Sequence, residues 1–132
     1  MEMLLTQQTA QIVCSAFFAI LFLQSGLDKL FNFKDNLSWL NGHFSKSILK
    51  GIVPFMLITL TFTEICAGVL SSYGIIVLMI NNNPQIAHWG AVLSSLSILM
   101  LFLGQRIAKD YAGAGNLVSY FIASVITILL TA

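Results

Sequence analysis

Apolar residues occupy four long stretches of the chain, and polar residues gather in the shorter segments between them. The clearest stretch is residues 52–80, in which Glu64 is the only charged residue. A run of about 18 or more apolar residues is typical of a membrane-spanning helix, because about 20 residues at about 1.5 Å rise cross a hydrocarbon core about 30 Å thick. The pattern therefore predicts a bilayer-spanning helix with a carboxyl group inside it.

The same criterion predicts three further spans, at residues 10–31, 86–104 and 116–131. The last of these is short at about 16 residues, so we expect it to begin inside the polar connector 105–115, near Tyr111. The end of the second span is open. There are two alternatives. Either the span stops near Ser71 and residues 74–80 form a re-entrant or interfacial piece, or it continues to residue 80 as one long, tilted helix.

Residues 32–50, between the first two spans, are amphipathic. Apolar residues recur there at helical spacing, at Phe33, Leu37, Leu40, Phe44 and Ile48. This pattern predicts a helix, or two short helices broken near Gly42, that lies at the membrane interface with Trp39 as an anchor. The predicted fold class is an all-α membrane protein: one domain, residues 1–132, forming a four-transmembrane-helix bundle with an amphipathic interfacial helix between the first and second spans.

Small residues repeat along each of the first three spans at steps of three, four or seven. The repeats, which are small or polar apart from Phe22 and Leu57, are Ser15, Ala19, Phe22, Gly26 and Lys29, then Leu57, Thr61, Glu64, Gly68 and Ser71, then Gly90, Ser94, Ser97 and Gly104. Small residues let helix backbones approach closely in lipid, where apolar surface alone does not drive association. We therefore expect these faces to meet inside the bundle, with Glu64 among them.

Composition narrows the class of partner. Hydrophobic residues make up 58% of the chain and charged residues 8%, whereas a soluble domain carries about 25% charged residues. The net charge of +1 provides no general attraction to nucleic acid, so the expected partner is the lipid bilayer. Every Lys and Arg lies in residues 29–50 or 106–109, and the positive-inside rule then predicts that these two connections are cytoplasmic and that both termini are outside.

Three charged residues are candidates for a polar, catalytic site. A carboxylate at the bilayer centre costs about 2.5–3.5 kcal/mol, so Glu64 needs a partner or a proton and is a tentative proton donor or acceptor. Lys29, at the end of the first span, and Asp110, in the third connection, are the other two; for Asp110 a solvated connector residue or a local ion pair explains the sequence equally well. Cys14 and Cys66 form no Cys-x-x-Cys pair, and we predict no metal site.

Three segments together resemble the DoxX family of small four-helix membrane proteins. They are FLQSGLDKLF at residues 22–31, TEICAGVL at residues 63–70 and GQRIAKDYAGA at residues 104–114. The resemblance implies a bundle in a bacterial cytoplasmic (inner) membrane, in a family linked to sulfur or thiol oxidation and to quinone reduction. It also implies that Lys29, Glu64 and Gly68 occupy recurrent family positions, while Arg106, Asp110 and Tyr111 match a narrower set of relatives.

Two hypotheses about function follow, and neither establishes that the protein is an enzyme. In the first, the chain is a quinone- or thiol-linked redox subunit in which Glu64 passes a proton. A quinone is a possible cofactor, although the hypothesis requires no bound cofactor. A partner protein supplies the electrons. In the second, it is a non-catalytic structural or assembly subunit of an envelope complex. The first needs a ligand pocket that reaches Glu64. The second needs only a lipid-facing surface covered by other membrane subunits or by a homo-oligomer.

A third hypothesis, a carrier of protons or small solutes, has less support. Many transporters are built from inverted repeats and broken helices, and neither is convincing in this chain.

Overall fold

The computed structural model describes residues 2–132, and this part of the chain is mostly helical and contains no strands. The helices are α1 (Glu2–Phe31), α2 (Phe33–His43), α3 (Val53–Asn81), α4 (Gln85–Ile107), α5 (Tyr111–Asn116) and α6 (Val118–Thr131). Four segments are long and apolar enough to cross a membrane, namely α1, α3, α4 and the α5–α6 segment Tyr111–Thr131. The predicted all-α bundle of four spans is confirmed.

Helix α3 settles the question left open at the end of the second span. It is one unbroken helix of 29 residues, so residues 74–80 are not a separate re-entrant piece. Pro54 lies in the first turn, where its missing N–H has no helical partner to lose. The helix ends where Asn82 adopts a left-handed conformation, with φ of 52°, and its N–H bonds to the carbonyl of Leu78.

Helix α1 is longer than the predicted span. It begins at Glu2, not near residue 10, and its N-terminal half makes polar contacts to other helices. Gln8 donates a hydrogen bond to the carbonyl of Leu78 at 2.9 Å, and Gln11 donates to the carbonyl of Leu130 at 2.7 Å. Both acceptors lie near the C-terminal end of a helix; the Leu78 carbonyl accepts from Asn82 as well as from Gln8.

Of the predicted interfacial segment 32–50, only residues 33–43 form a helix, α2, which ends one residue after Gly42; no second short helix follows it within residues 44–52. Trp39 is exposed, as an interfacial anchor should be, and residues 44–52 return to α3 through turns. The fourth span begins at Tyr111, as predicted, and changes from α5 to α6 at Leu117.

Helix α3 is the centre of the bundle, packed along both α1 and α4, while α6 packs mainly on α4. The contacts are close, and the predicted small-residue faces of α3 and α4 meet where a Cβ atom on Gly90 would lie 2.8 Å from the Ser71 nitrogen. A Cβ atom on Gly68 would lie 2.8 Å from the Leu23 nitrogen of α1, and one on Gly74 would lie 2.6 Å from the Ala87 Cα of α4. Phe18, Phe22, Ala67 and Ile98 form a cluster of buried apolar side chains in the core.

The two ends of the bundle differ in charge. At one end, α2, the turn residues 44–52 and the connection from α4 to α5 come together; we call this the loop end. All six Lys and Arg residues belong to the segments at the loop end, namely Lys29, Lys34, Lys46, Lys50, Arg106 and Lys109. The opposite end carries the termini and the turn between α3 and α4.

Candidate functional site

Two of the three predicted site residues, Lys29 and Glu64, lie together. Lys29 Nζ is 3.1 Å from Glu64 Oε2, so α1 and α3 are joined by an ion pair. Ser25, one helical turn before Lys29, bridges the two: Lys29 donates to Ser25 Oγ at 2.7 Å, and Ser25 donates to Glu64 Oε2 at 2.9 Å. We call these three residues the buried cluster.

Close helix packing places the buried cluster. A Cβ atom on Gly26 would lie 2.7 Å from Ile65 Cγ1 and 3.2 Å from the Ile65 nitrogen, so α1 and α3 approach each other closely beside the cluster. Ser25 and Glu64 are the neighbours of these two packing residues in the sequence. Their side chains therefore meet across the interface.

Burial sets the electrostatics of the cluster. The Glu64 side chain is fully buried, and that of Lys29 is 15% exposed. Two charges removed from water are stable only when they pair closely and their remaining bonding capacity is used. Glu64 Oε2 meets this condition, but Glu64 Oε1 has no hydrogen-bond partner among residues 2–132. The cluster can therefore hold a charge pair, and it retains one free acceptor.

Asp110, the third predicted site residue, lies elsewhere. Its Oδ1 atom accepts a hydrogen bond from the Gly113 N–H at 2.9 Å and so caps the start of α5. Its Oδ2 atom is 3.6 Å from His43 Nε2, at the loop end. The structure thus gives Asp110 a local role in capping and does not join it to Lys29 and Glu64.

Sequence reasoning missed a second polar contact at the loop end. His43 Nε2 lies 2.7 Å from Gln105 Oε1, which joins the end of α2 to α4. His43 also stacks on Trp39, with ring centroids 4.7 Å apart. No periodicity could have paired positions 43 and 105. Ser25, by contrast, could have been found, because it lies four residues before Lys29 on the same helix face.

A pocket of about 290 Å³ opens between α3 and α4 at the loop end; we call it the loop-end pocket. Its walls are mostly apolar, including Phe44, Leu57 and Leu101, and its polar lining includes His43 and Gln105. Glu64 does not line it, nor does it line a second pocket beside Thr131 at the opposite end. In the described part of the chain, therefore, neither pocket reaches the buried cluster.

The described residues contain no group of three or more His, Cys, Asp or Glu side chains placed to hold a metal ion. Comparisons with protein-family models, with curated proteins and with solved structures returned no match. The DoxX resemblance therefore depends on the three sequence segments alone and stays a prediction.

Proposed function

We propose that the chain is a DoxX-like integral membrane subunit of a larger membrane complex, with a structural or assembly role. The proposed location is a bacterial cytoplasmic membrane, with the loop end inside the cell and both termini outside. The grouping of all six cations at the loop end supports this orientation.

One observation supports the structural role: the Glu64 carboxylate forms its ion pair and its hydrogen bond with residues of the same chain. Lys29 and Ser25 both contact Glu64 Oε2, and the loop-end pocket is lined by other residues. A carboxyl group that a ligand must reach would need an open path to that ligand. Glu64 instead sits between α1 and α3, where it holds the two helices in register.

A second candidate function is the quinone- or thiol-linked redox role. The unpartnered Glu64 Oε1 favours it, since a buried carboxyl oxygen without a hydrogen bond is available to hold a proton. In this role the chain would exchange protons at Glu64 while a partner subunit carried the electrons.

The two functions separate in a single experiment. The tagged protein is extracted from its native membrane in a mild detergent, and the proteins and quinones that accompany it are identified by mass spectrometry. Glu64→Gln tests the buried cluster, and Glu2→Gln, which changes an exposed acid, is its matched control.

Recovery of a non-redox assembly without quinone, from the unaltered chain and from Glu2→Gln, supports the structural role, and a smaller yield of that assembly with Glu64→Gln agrees with a packing role for the ion pair. Recovery of an oxidoreductase or bound quinone that is lost only in Glu64→Gln contradicts it and supports the redox role. Recovery of the chain with no partner in any form contradicts the proposal of a larger complex.

A further inference from the structure

The loop-end pocket has the form of a ligand site that is separate from the buried cluster. We propose that it binds a neutral, lipid-soluble molecule with an apolar body and a hydroxyl or carbonyl head group. The inference requires that the chain lie in a bilayer, but it does not depend on a larger complex or on Glu64.

The head group would meet His43 and Gln105. A neutral imidazole has one donor and one acceptor nitrogen, and a Gln side chain has both a donor amide and an acceptor oxygen. The 2.7 Å contact between His43 Nε2 and Gln105 Oε1 uses one group of each. His43 Nδ1 and the Gln105 side-chain NH₂ group remain. A hydroxyl or carbonyl group of a ligand can form hydrogen bonds with them.

The pocket lining, in the described part of the chain, provides no cation for an anionic head group. Among the described residues, the lining includes no Lys, Arg, Asp or Glu. Asp110 Oδ2 lies beside the polar wall, 3.6 Å from His43 Nε2. A carboxylate behind His43 would repel a phosphate placed against that ring. The oxygen of a neutral hydroxyl or carbonyl group carries no net charge, so the carboxylate does not repel it in this way.

The pocket is reached from the membrane. Phe55 and Leu103, which line it, are 73% and 60% exposed on the outer surface of α3 and α4. In a bilayer these exposed side chains face lipid, so a ligand dissolved in the membrane would enter sideways between the two helices.

The size of the pocket limits what it can enclose. Its volume of about 290 Å³ is about twice that of an engineered apolar cavity of about 150 Å³ that binds benzene. It therefore accommodates one ring with a short stretch of chain, or a short stretch of acyl chain with its oxygen-bearing end. The rest of a longer molecule would remain in the bilayer.

The proposal can be tested on the full chain in nanodiscs of phosphatidylcholine. The probe is a 4-alkylphenol with a photoreactive diazirine in its chain. Two matched probes replace the hydroxyl by hydrogen or by phosphate. We expect saturable labelling of the pocket walls by the phenol, about tenfold stronger than by the other two, as one lost hydrogen bond predicts. Equal labelling by the hydrogen probe, or stronger labelling by the phosphate probe, would overturn the proposal.

Variants test the same site independently. Leu101→Trp fills the pocket, and Leu99→Trp is its control, since it makes the same change two residues away on the exposed face of α4. Gln105→Leu removes the head-group contact. We expect about tenfold weaker phenol labelling in Leu101→Trp and Gln105→Leu and unchanged labelling in Leu99→Trp. Equal labelling in Leu101→Trp and Leu99→Trp contradicts the proposal. If a variant fails to fold, the comparison of the three probes on the unaltered chain still tests it.

Competition identifies the source of the ligand chemistry. Displacement of the phenol probe by a monoacylglycerol supports a glycerolipid ligand, and displacement by an alkylhydroquinone supports a ring-headed one. If neither displaces it, the assignment of a neutral head group is wrong.

Discussion

At the scale of single residues, Glu64 illustrates how a membrane protein keeps an acid in an apolar helix. Its carboxylate contacts Ser25 and Lys29 of a neighbouring helix, and the Lys29 side chain extends from the last turn of α1 to reach it. The pair is close, with one bridging hydroxyl. Removing either charge would leave the other buried without a counter-ion, which is the costly case for a buried ion pair.

We predict that Lys29→Met lowers the free energy of unfolding by about 3 kcal/mol, because it leaves the Glu64 carboxylate buried and unpaired. Lys34→Met is the control, since Lys34 is exposed at the same end of the bundle, and it should change stability by less than about 0.5 kcal/mol. Unfolding in mixed detergent micelles, followed by circular dichroism, measures both.

The double variant Lys29→Met with Glu64→Leu should recover most of the stability lost in Lys29→Met. Apolar side chains of similar volume often replace a buried ion pair without loss. A double variant no more stable than the single one, or a single variant no worse than Lys34→Met, would show that the pair does not hold α1 to α3.

At the scale of whole elements, the three central helices are held by close backbone approach. Gly68 faces α1 and Gly74 faces α4, so α3 is shaped to fit a helix on each side. Small residues at such contacts allow dispersion and hydrogen bonding between helices where lipid removes the hydrophobic drive. A larger side chain at either contact must push the helices apart.

Gly74→Ala should therefore destabilise the bundle by about 1–3 kcal/mol, because its Cβ would lie 2.6 Å from backbone atoms of Ala87 that cannot move alone. Gly115→Ala is the matched control: no atom lies within 4 Å of its Cβ position, and it lies in α5. It should be neutral or stabilising by about 0.5–1 kcal/mol, since Ala favours helix over Gly. The same unfolding assay compares them, and equal effects would contradict close packing at Gly74.

Helix α2 should lie at the membrane surface and not cross it. The Trp39 side chain is 61% exposed. Its ring stacks on the ring of His43. In Trp89→Phe, Trp39 is the only tryptophan left in the chain. We predict that its fluorescence is quenched more strongly by lipids brominated near the head group than by lipids brominated near the chain end. Stronger quenching by the deep bromines would place α2 inside the hydrocarbon core and overturn the interfacial assignment.

At the scale of the whole molecule, four spans place both termini at one end and all six cations at the other. The charge difference predicts orientation, because short loops rich in Lys and Arg stay in the cytoplasm.

This orientation can be measured by cysteine labelling in a bacterial host. Starting from Cys14→Ala with Cys66→Ala, single cysteines are introduced at the exposed positions Ser45, at the loop end, and Gln85, at the opposite end. A membrane-impermeant maleimide should label Gln85→Cys in intact spheroplasts and Ser45→Cys only after permeabilisation. The reverse pattern would show that the loop end is outside.

The sequence predicted the architecture well, because hydropathy and helical periodicity are local signals. The spans, the faces that pack and the burial of Glu64 all follow from them. The site was predicted only in part. Lys29 and Glu64 do meet, but Asp110 caps its own helix, and the contact between His43 and Gln105 depends on how distant segments return to one end of the bundle. Such returns are set by three-dimensional packing, which local patterns do not encode.

The length of α3 has a consequence for the membrane around the protein. At about 1.5 Å per residue, its 29 residues extend about 43 Å, whereas the 21 residues of Tyr111–Thr131 extend about 31 Å. A hydrocarbon layer about 30 Å thick matches the shorter segment but not the longer one. Lipids beside α3 must stretch, or α3 must tilt, so the protein should distort the bilayer unevenly around its circumference and prefer the thicker regions of a membrane.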